Sequence, residues 1–107
     1  MAEYIFSIII PTLNEERYLP NLLNDLDNQQ TRNFEVIIVD GKSEDQTREE
    51  ALQFARKFPF KFIQSPKRNL SYQRNLGAKN SNGKYFFFFD AYSSISSNLT
   101  QKFESYV

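Results

Sequence analysis

The chain has 107 residues, 40% hydrophobic and 24% charged, the size and balance of one globular domain, which excludes both a disordered segment and a two-domain chain. Cysteine and histidine are absent; this removes disulfides, thiolate and imidazole catalysis and Cys-type zinc sites, and leaves oxygen ligands for ions such as Mg²⁺, Mn²⁺ or Ca²⁺. Thirteen basic and thirteen acidic side chains cancel, which argues against nucleic acid as a partner.

Met1-Ala2-Glu3 lacks the basic start of a targeting segment. Tyr4-Ile5-Phe6-Ser7-Ile8-Ile9-Ile10 follows and stops at Pro11; continuous rather than alternating, it predicts a strand buried on both faces. Tyr18, Leu19, Leu22, Leu23 and Leu26 share one helical face. Thr12 and Glu15 are spaced as a capping box at that helix's start, and Pro20 predicts a kink or a separate first turn. Phe34-Glu35-Val36-Ile37-Ile38-Val39 predicts a second buried strand, ending at Asp40. Ser43 and Gln46 are spaced as another capping box, ahead of a helical stripe of Thr47, Ala51, Phe54, Ala55 and Phe58. Phe60-Lys61-Phe62-Ile63 alternates and predicts a shorter strand nearer an edge. Leu70 to Asn80 predicts a third helix with a weak apolar stripe, stopped by Asn82-Gly83. Tyr85 to Phe89 predicts a fourth buried strand ending at Asp90, and Ser96 to Tyr106 predicts the start of a fourth helix. That aromatic run is far below the roughly 20 residues of a membrane-spanning helix, so the expected location is cytoplasmic.

The order β-α-β-α-β-α-β-α predicts an α/β fold, a Rossmann-like, mostly parallel sheet with right-handed crossovers. Val107 falls inside a predicted helix, so the expectation is a fragment of a longer protein. In such a sheet, ligands bind outside the carboxyl ends of the strands, where the strand order reverses. These ends are polar here: Pro11-Thr12-Leu13-Asn14-Glu15 after the first strand, Asp40-Gly41-Lys42-Ser43 after the second, Asp90-Ala91-Tyr92-Ser93-Ser94 after the fourth. N-capping accounts for Ser43 and Thr12. It accounts less well for Asp40 and Asp90, each of which directly follows a buried strand. A carboxylate there can accept a hydrogen bond from a nucleobase N–H or a ribose hydroxyl, or hold a divalent cation against phosphate. Helix N-termini at the same edge add partial positive charge.

The charges are also uneven along the chain. Residues 1–50 carry eleven acids and four bases, whereas residues 51–89 carry eight bases and no acid. The plain reading is a solvated face that pairs with the acidic half. The sharper one is a site for an anion such as a nucleoside diphosphate, with Lys67 to Arg74 contributing. Two other patterns fail. Gly41-Lys42-Ser43 imitates the end of a phosphate-binding loop, but Val36 stands where the first glycine belongs. Asp40 imitates the phosphoacceptor of a receiver domain, which would want acidic residues after the first strand, where this chain has Pro11-Thr12.

Five stretches together resemble the amino-terminal half of a family 2, GT-A-fold glycosyltransferase. Ser7 to Glu16 resembles that family's opening strand and Pro-Thr/Ala-x-Asn-Glu turn. Val36 to Thr47 resembles its second strand and Asp-Gly/Asp-x-Ser-x-Asp-x-Thr loop. Arg74-Asn75-Leu76-Gly77-Ala78 and Asn82-Gly83-Lys84-Tyr85 resemble its Arg-Asn-x-Gly helix and Gly-x-Tyr approach. Phe88-Phe89-Asp90-Ala91-Tyr92 resembles the approach to its Asp-x-Asp motif. The resemblance implies that residues 1–107 are the nucleotide-sugar-binding part, with the acceptor-binding half and its general base lying outside this chain. It implies that Pro11, Thr12 and Glu15 line the nucleotide pocket and that Asp40 hydrogen-bonds the base. Ser43 and Asp45 would order the loop, and Arg74 would stand near the diphosphate. Gly77 would allow close helix approach, and Asp90 would contact the ribose and the metal region. The donor would be a UDP- or GDP-linked sugar.

The third position of the Asp-x-Asp motif is Tyr92. A phenol with a pKa near ~10 is a poor ligand for a hard cation at neutral pH, so Mg²⁺ or Mn²⁺ at Asp90 is an expectation weakened by Tyr92. Two other readings stay open: a nucleotide-binding or interaction module without turnover, and a plain α/β domain whose edge carboxylates cap helices. A full-length protein peripheral to a membrane, and a homodimer formed where the fourth strand is uncovered, are further expectations.

Overall fold

A computed structural model describes residues 4–107; Met1-Ala2-Glu3, the segment that lacks the basic start of a targeting signal, lie outside the described residues. Runs of β-branched and aromatic residues form four strands, β1 (Tyr4–Thr12), β2 (Phe34–Asp40), β3 (Phe60–Gln64) and β4 (Gly83–Phe88). Between and after them lie α1 (Leu19–Asp27), α2 (Thr47–Leu52), α3 (Leu70–Lys79) and α4 (Leu99–Glu104). All pairings are parallel and the sheet order is β3-β2-β1-β4. The expected α/β order and parallel sheet are therefore present. The chain winds outward from β1 to β3 and then returns to place β4 on the other side of β1. The strand order reverses between β1 and β4, and that is where a crevice opens in sheets of this kind.

Alternation along the central strands divides the core. Phe6, Ile8 and Ile10 of β1 and Phe34, Val36 and Ile38 of β2 meet Leu19, Leu22, Leu23 and Leu26 of α1, with Ala51, Phe54 and Phe58. Each leucine removed wholly from water contributes about 1.5–3 kcal/mol. The opposite face carries Ile9, Ile37 and Val39 against Leu76 and Ala78 of α3. Gly77 permits that contact, since a Cβ there would stand 2.5 Å from Ile9 Cγ2 and 3.1 Å from Val39 Cγ2.

Several local expectations change. The expected buried fourth strand is an edge strand, with β1 on one side and, among the described residues, no strand on the other. Tyr85, Phe86 and Phe88 are exposed, because aromatic sequence does not supply the second neighbour that burial requires. Neither expected capping box forms, since both helices begin later, α1 at Leu19 and α2 at Thr47, without a side-chain cap. Pro20 sits in the first turn of α1, where its missing N–H costs nothing, so no kink is needed. Tyr18 and Ala55 are exposed rather than part of their stripes. Phe54 and Phe58 are buried beyond the end of α2.

The amino end of the sheet is closed by a buried carboxylate. Glu35, only 3% exposed, accepts from Ser7 Oγ at 2.7 Å and from the backbone N–H of Asn82 at 2.5 Å, with Lys61 Nζ at 3.8 Å. Gly83 N donates to Ser7 Oγ at 2.8 Å, and a Cβ on Gly83 would stand 2.6 Å from Ser7 N. This packing fixes where β4 starts and so where Asp90 emerges. No described helix is long and apolar enough to cross a membrane.

Candidate functional site

At the carboxyl end of the sheet, the loops after β1 and β2 are tied by their own side chains. Asp40 Oδ1 accepts from Thr12 Oγ1 at 2.7 Å and from Ser43 Oγ at 2.6 Å, and Asp40 Oδ2 accepts from Ser43 N at 2.7 Å. A carboxylate that is 4% exposed needs such donors, since burial without them is costly. The two residues expected to cap helices therefore serve Asp40 instead. Ser43 Oγ also accepts from Asn14 N at 2.8 Å, and Asn14 Oδ1 accepts from Glu44 N at 2.9 Å. Further on, Glu15 N donates to Thr47 Oγ1 at 2.8 Å, and Thr47 N donates to Asp45 Oδ1 at 2.9 Å. Asn14 and Lys42 take left-handed backbone, with φ of 55° and 64°. Outside glycine such conformations persist where neighbours fix them. For Lys42, Arg68 supplies that constraint by donating to the carbonyls of Gly41 at 2.8 Å and Lys42 at 2.7 Å, and to Glu44 Oε1 at 2.9 Å.

Beside this clasp, at the β1/β4 reversal, lies a cleft of about 270 Å³ bordered by Pro11, Thr12, Glu15, Arg68, Gln73 and Asp90, with Leu13, Leu70, Ala91 and Tyr92 completing it. Four expected site residues, Pro11, Thr12, Glu15 and Asp90, thus meet in one place. Two do not border it. Asp40 lies behind Thr12 as a tied, buried carboxylate, not a free one at the rim. Arg74 is not among the residues bordering the cleft; its guanidinium lies 6.0 Å from the Phe88 ring centroid, and its buried Nε has no hydrogen-bond partner among the described residues. A larger groove of about 390 Å³ runs along α3, but Lys79 is its single charged residue and it lies away from the strand ends.

The sequence reading passed over two side chains. Gln73, 4% exposed, donates through Nε2 to the carbonyls of Thr12 at 3.1 Å and Val39 at 2.8 Å. It satisfies backbone acceptors that the ends of β1 and β2 leave over. Its signal was its position four residues before Gly77, on the face of α3 that meets the sheet. Arg68 was legible only as one of a basic stretch. Of the eight bases in 51–89, Lys61 and Arg68 pair with Glu35 and Glu44 of the first half, as the plain reading of the charge pattern expects.

Charge within the cleft is mixed. Burial, then the nearby Asp45 and Asp90, hold the Glu15 carboxyl above its ordinary value. Burial alone would raise Asp45, but the hydrogen bonds from Thr47 and Glu16 outweigh it and hold that carboxyl below its ordinary value. Glu15 and Asp90 are two hard oxygen donors in one cleft, and among the described residues no group of three or more carboxylates stands together. This set fits an ion that keeps most of its shell on phosphate and water, as Mg²⁺ commonly does. Tyr92 is 65% exposed and lies edge-on to Tyr18, with centroids 6.3 Å apart, an aromatic contact rather than a ligand position.

Residues 7–103 match the family model described as glycosyl transferase family 2. A dolichyl N-acetyl-alpha-D-glucosaminyl phosphate 3-beta-D-2,3-diacetamido-2,3-dideoxy-beta-D-glucuronosyltransferase of Methanococcus voltae is 41% identical over 91 residues, covering 80% of this chain and 28% of that protein. The crystal structure of S. aureus TarS 1-349 superposes with a TM-score of 0.90 at 30% identity, covering 94% of this chain and 31% of that one. The same protein in complex with UDP-GlcNAc gives a TM-score of 0.87. A Pyrobaculum calidifontis mannosyltransferase, solved with GDP-Man and Mn²⁺, shares the fold at a TM-score of 0.79 and 22% identity over 84% of this chain and 28% of its own. The chain spans under a third of the length of each of these proteins.

Two outcomes follow from the clasp and the carboxylates. Asp40→Ala removes three bonds to a charged group and is expected to lower unfolding free energy by about 1.5–3 kcal/mol in urea titration; a loss under about 0.5 kcal/mol contradicts the clasp. Glu15→Gln removes an ionisation that folding disfavours, so the variant gains stability over the parent as pH rises from below the ordinary carboxyl value of 4.5 toward neutrality. A difference that stays constant across that range, measured by thermal melts, contradicts the assignment.

Proposed function

Because the chain belongs to glycosyl transferase family 2, we propose that it forms the donor-binding part of a glycosyltransferase, seating a nucleotide-diphospho-sugar of UDP or GDP type for transfer to an acceptor. The observation that carries this reading is the cleft itself. It lies at the strand-order reversal, and it joins apolar walls from Pro11, Leu13 and Leu70 to an arginine and two carboxylates. A flat base suits the apolar part, and ribose hydroxyls and a diphosphate suit the charged part. That TarS has been solved with UDP-GlcNAc supports the same class of ligand here.

Roles follow from position. Thr12, held by Asp40, shapes the floor. Asp40 Oδ2 accepts one backbone N–H, and a carboxylate oxygen has capacity for a second bond, so a base N–H at its edge completes it. Asp90 is exposed and is free to accept from ribose or to hold Mg²⁺ or Mn²⁺ together with Glu15. Such an ion, when bound, offsets the charge of the diphosphate leaving group. Arg68 adds positive charge on the opposite wall. Arg74, with its Nε unpartnered, is placed to turn toward a diphosphate once one is bound. Tyr92, offering no carboxylate, favours the second reading of nucleotide binding without turnover, and metal dependence separates the two.

Calorimetric titration with UDP, GDP and their sugars, with and without Mn²⁺, tests the proposal. UDP or GDP binding is expected to tighten roughly tenfold, or about 1.4 kcal/mol, with Mn²⁺. Asp90→Asn should remove that gain while the melting temperature holds, because the Asp90 side chain is exposed. Binding indifferent to Mn²⁺ favours the module without turnover. Absence of binding by every nucleotide contradicts both readings.

A further inference from the structure

Residues 61–89 hold six bases and no acid. They form β3, α3, β4 and the loops that join them, so the face of the sheet that α3 covers is basic. On the opposite face Asp25, Asp27, Glu49, Glu50 and Glu104 of α1, α2 and α4 stand among bases, and the charge is mixed. A chain without net charge is therefore polarised across its sheet. Within the basic layer Arg68 is engaged by the carbonyls of Gly41 and Lys42 and by Glu44. Lys61 Nζ donates to Asn80 O at 2.6 Å and stands 3.8 Å from Glu35. Lys67, Lys79 and Lys84 are exposed and form no ion pair among the described residues.

Two of these lysines bracket an apolar strip. Tyr72, Asn75, Leu76 and Lys79 recur at helical spacing and, with Ala78, line the groove of about 390 Å³ along α3. Lys67 Nζ lies 5.1 Å from the centroid of the Tyr72 ring, which sets a second lysine at the other end of that groove. Cations at both ends and an apolar strip between them fit an anionic, amphiphilic surface.

The residue types separate lipid from nucleic acid. The free cations are lysines, compact point charges, rather than the forked arginines that grip single phosphates of a polynucleotide. The Tyr72 ring face is already taken by Lys67, whereas base stacking needs it open. An exposed tyrosine among lysines is suited to the headgroup level of a bilayer. At ten residues with a narrow strip, α3 rests on such a surface by charge and does not insert.

We propose that the outer face of α3 is a docking surface for an anionic lipid bilayer, with Lys67 and Lys79 among the headgroup phosphates and Tyr72 between them. Helix α3 begins at Leu70, which borders the nucleotide cleft together with Arg68. A bilayer under α3 thus lies beside the cleft. On the nucleotide-sugar reading above, that is the position for transfer to an acceptor held in lipid.

Co-sedimentation of the whole chain with phosphatidylcholine vesicles, with and without about 30 mol% phosphatidylglycerol, tests this. Binding is expected to be at least roughly tenfold tighter to the anionic vesicles and to be lost in about 0.5 M NaCl. Lys67→Gln with Lys79→Gln should weaken it by roughly fivefold for each charge removed, with the melting temperature and UDP binding unchanged, since both side chains are exposed and neither borders the cleft. Arg56→Gln with Lys57→Gln, which removes the same charge away from α3, should leave it within about twofold. Equal binding to both vesicle types, or none to either, overturns the proposal. So does an equal loss in the two double variants, which would reduce the effect to total charge, or tighter binding to a single-stranded oligonucleotide than to the anionic vesicles. Each outcome is read without nucleotide, so a chain that docks on vesicles but binds neither UDP nor GDP contradicts the nucleotide reading alone.

Discussion

The carboxylate of Asp40 holds the carboxyl edge of the sheet together. Parallel strands are joined along their length by backbone bonds, but beyond Thr12 and Asp40 the ladder ends and the two loops have to be held by other means. Asp40 does this with the hydroxyls of Thr12 and Ser43 and the N–H of Ser43. Thr12 and Asp40 are 28 residues apart in sequence and opposite each other in register. Charge-assisted bonds in a buried setting are strong and directional. They leave the backbone of the β1 loop with one course, and that course forms a wall of the cleft.

From that constraint the asymmetry of the cleft follows. On the β2 side the loop is pinned again by Arg68 and Gln73, both reaching from the segment that leads into and forms α3. On the β4 side the chain leaves the sheet at Asp90 with a side chain tied to nothing comparable. One end is thus rigid and amide-lined, the other acidic and open. A rigid end suits recognition of a flat, invariant group. An open acidic end suits a charged ligand that brings its own counterion. The strained backbone at Lys42 lies at the rigid end, where three bonds from Arg68 fix its surroundings.

Much of this was legible in the residues themselves. The continuous apolar runs of β1 and β2 announce central strands, because only a strand covered on both faces can afford them. The polar residues at their ends mark the edge where ligands bind. Pro11, Thr12, Glu15 and Asp90 meet there as expected. What failed has a common cause in partners distant along the chain. Thr12 and Ser43 have the spacing of helix caps, but a buried carboxylate outcompetes a local N–H. The run Tyr85 to Phe89 looks buried by composition, yet burial is a property of neighbours, and β4 lies at an edge. The weak apolar stripe of α3 gives no hint of Gln73, although a polar group on the inner face of that helix is what the ends of two strands need. Arg68 and Arg74 are indistinguishable in a list of basic residues. The start of α3 at Leu70 separates them, leaving one in the loop over the cleft and the other on the helix beside Phe88.

The account stands on a nucleotide lying across the end of β1, between the amide of Gln73 and the carboxylate of Asp90. A two-dimensional ¹⁵N–¹H NMR titration with UDP tests this most directly. The account predicts that the first signals to move are the backbone amides of Thr12, Leu13, Gly41 and Ala91 and the side-chain amide of Gln73. Movement confined to Tyr72, Leu76 and Lys79 along the outer groove of α3, or no movement at saturating UDP, would contradict it.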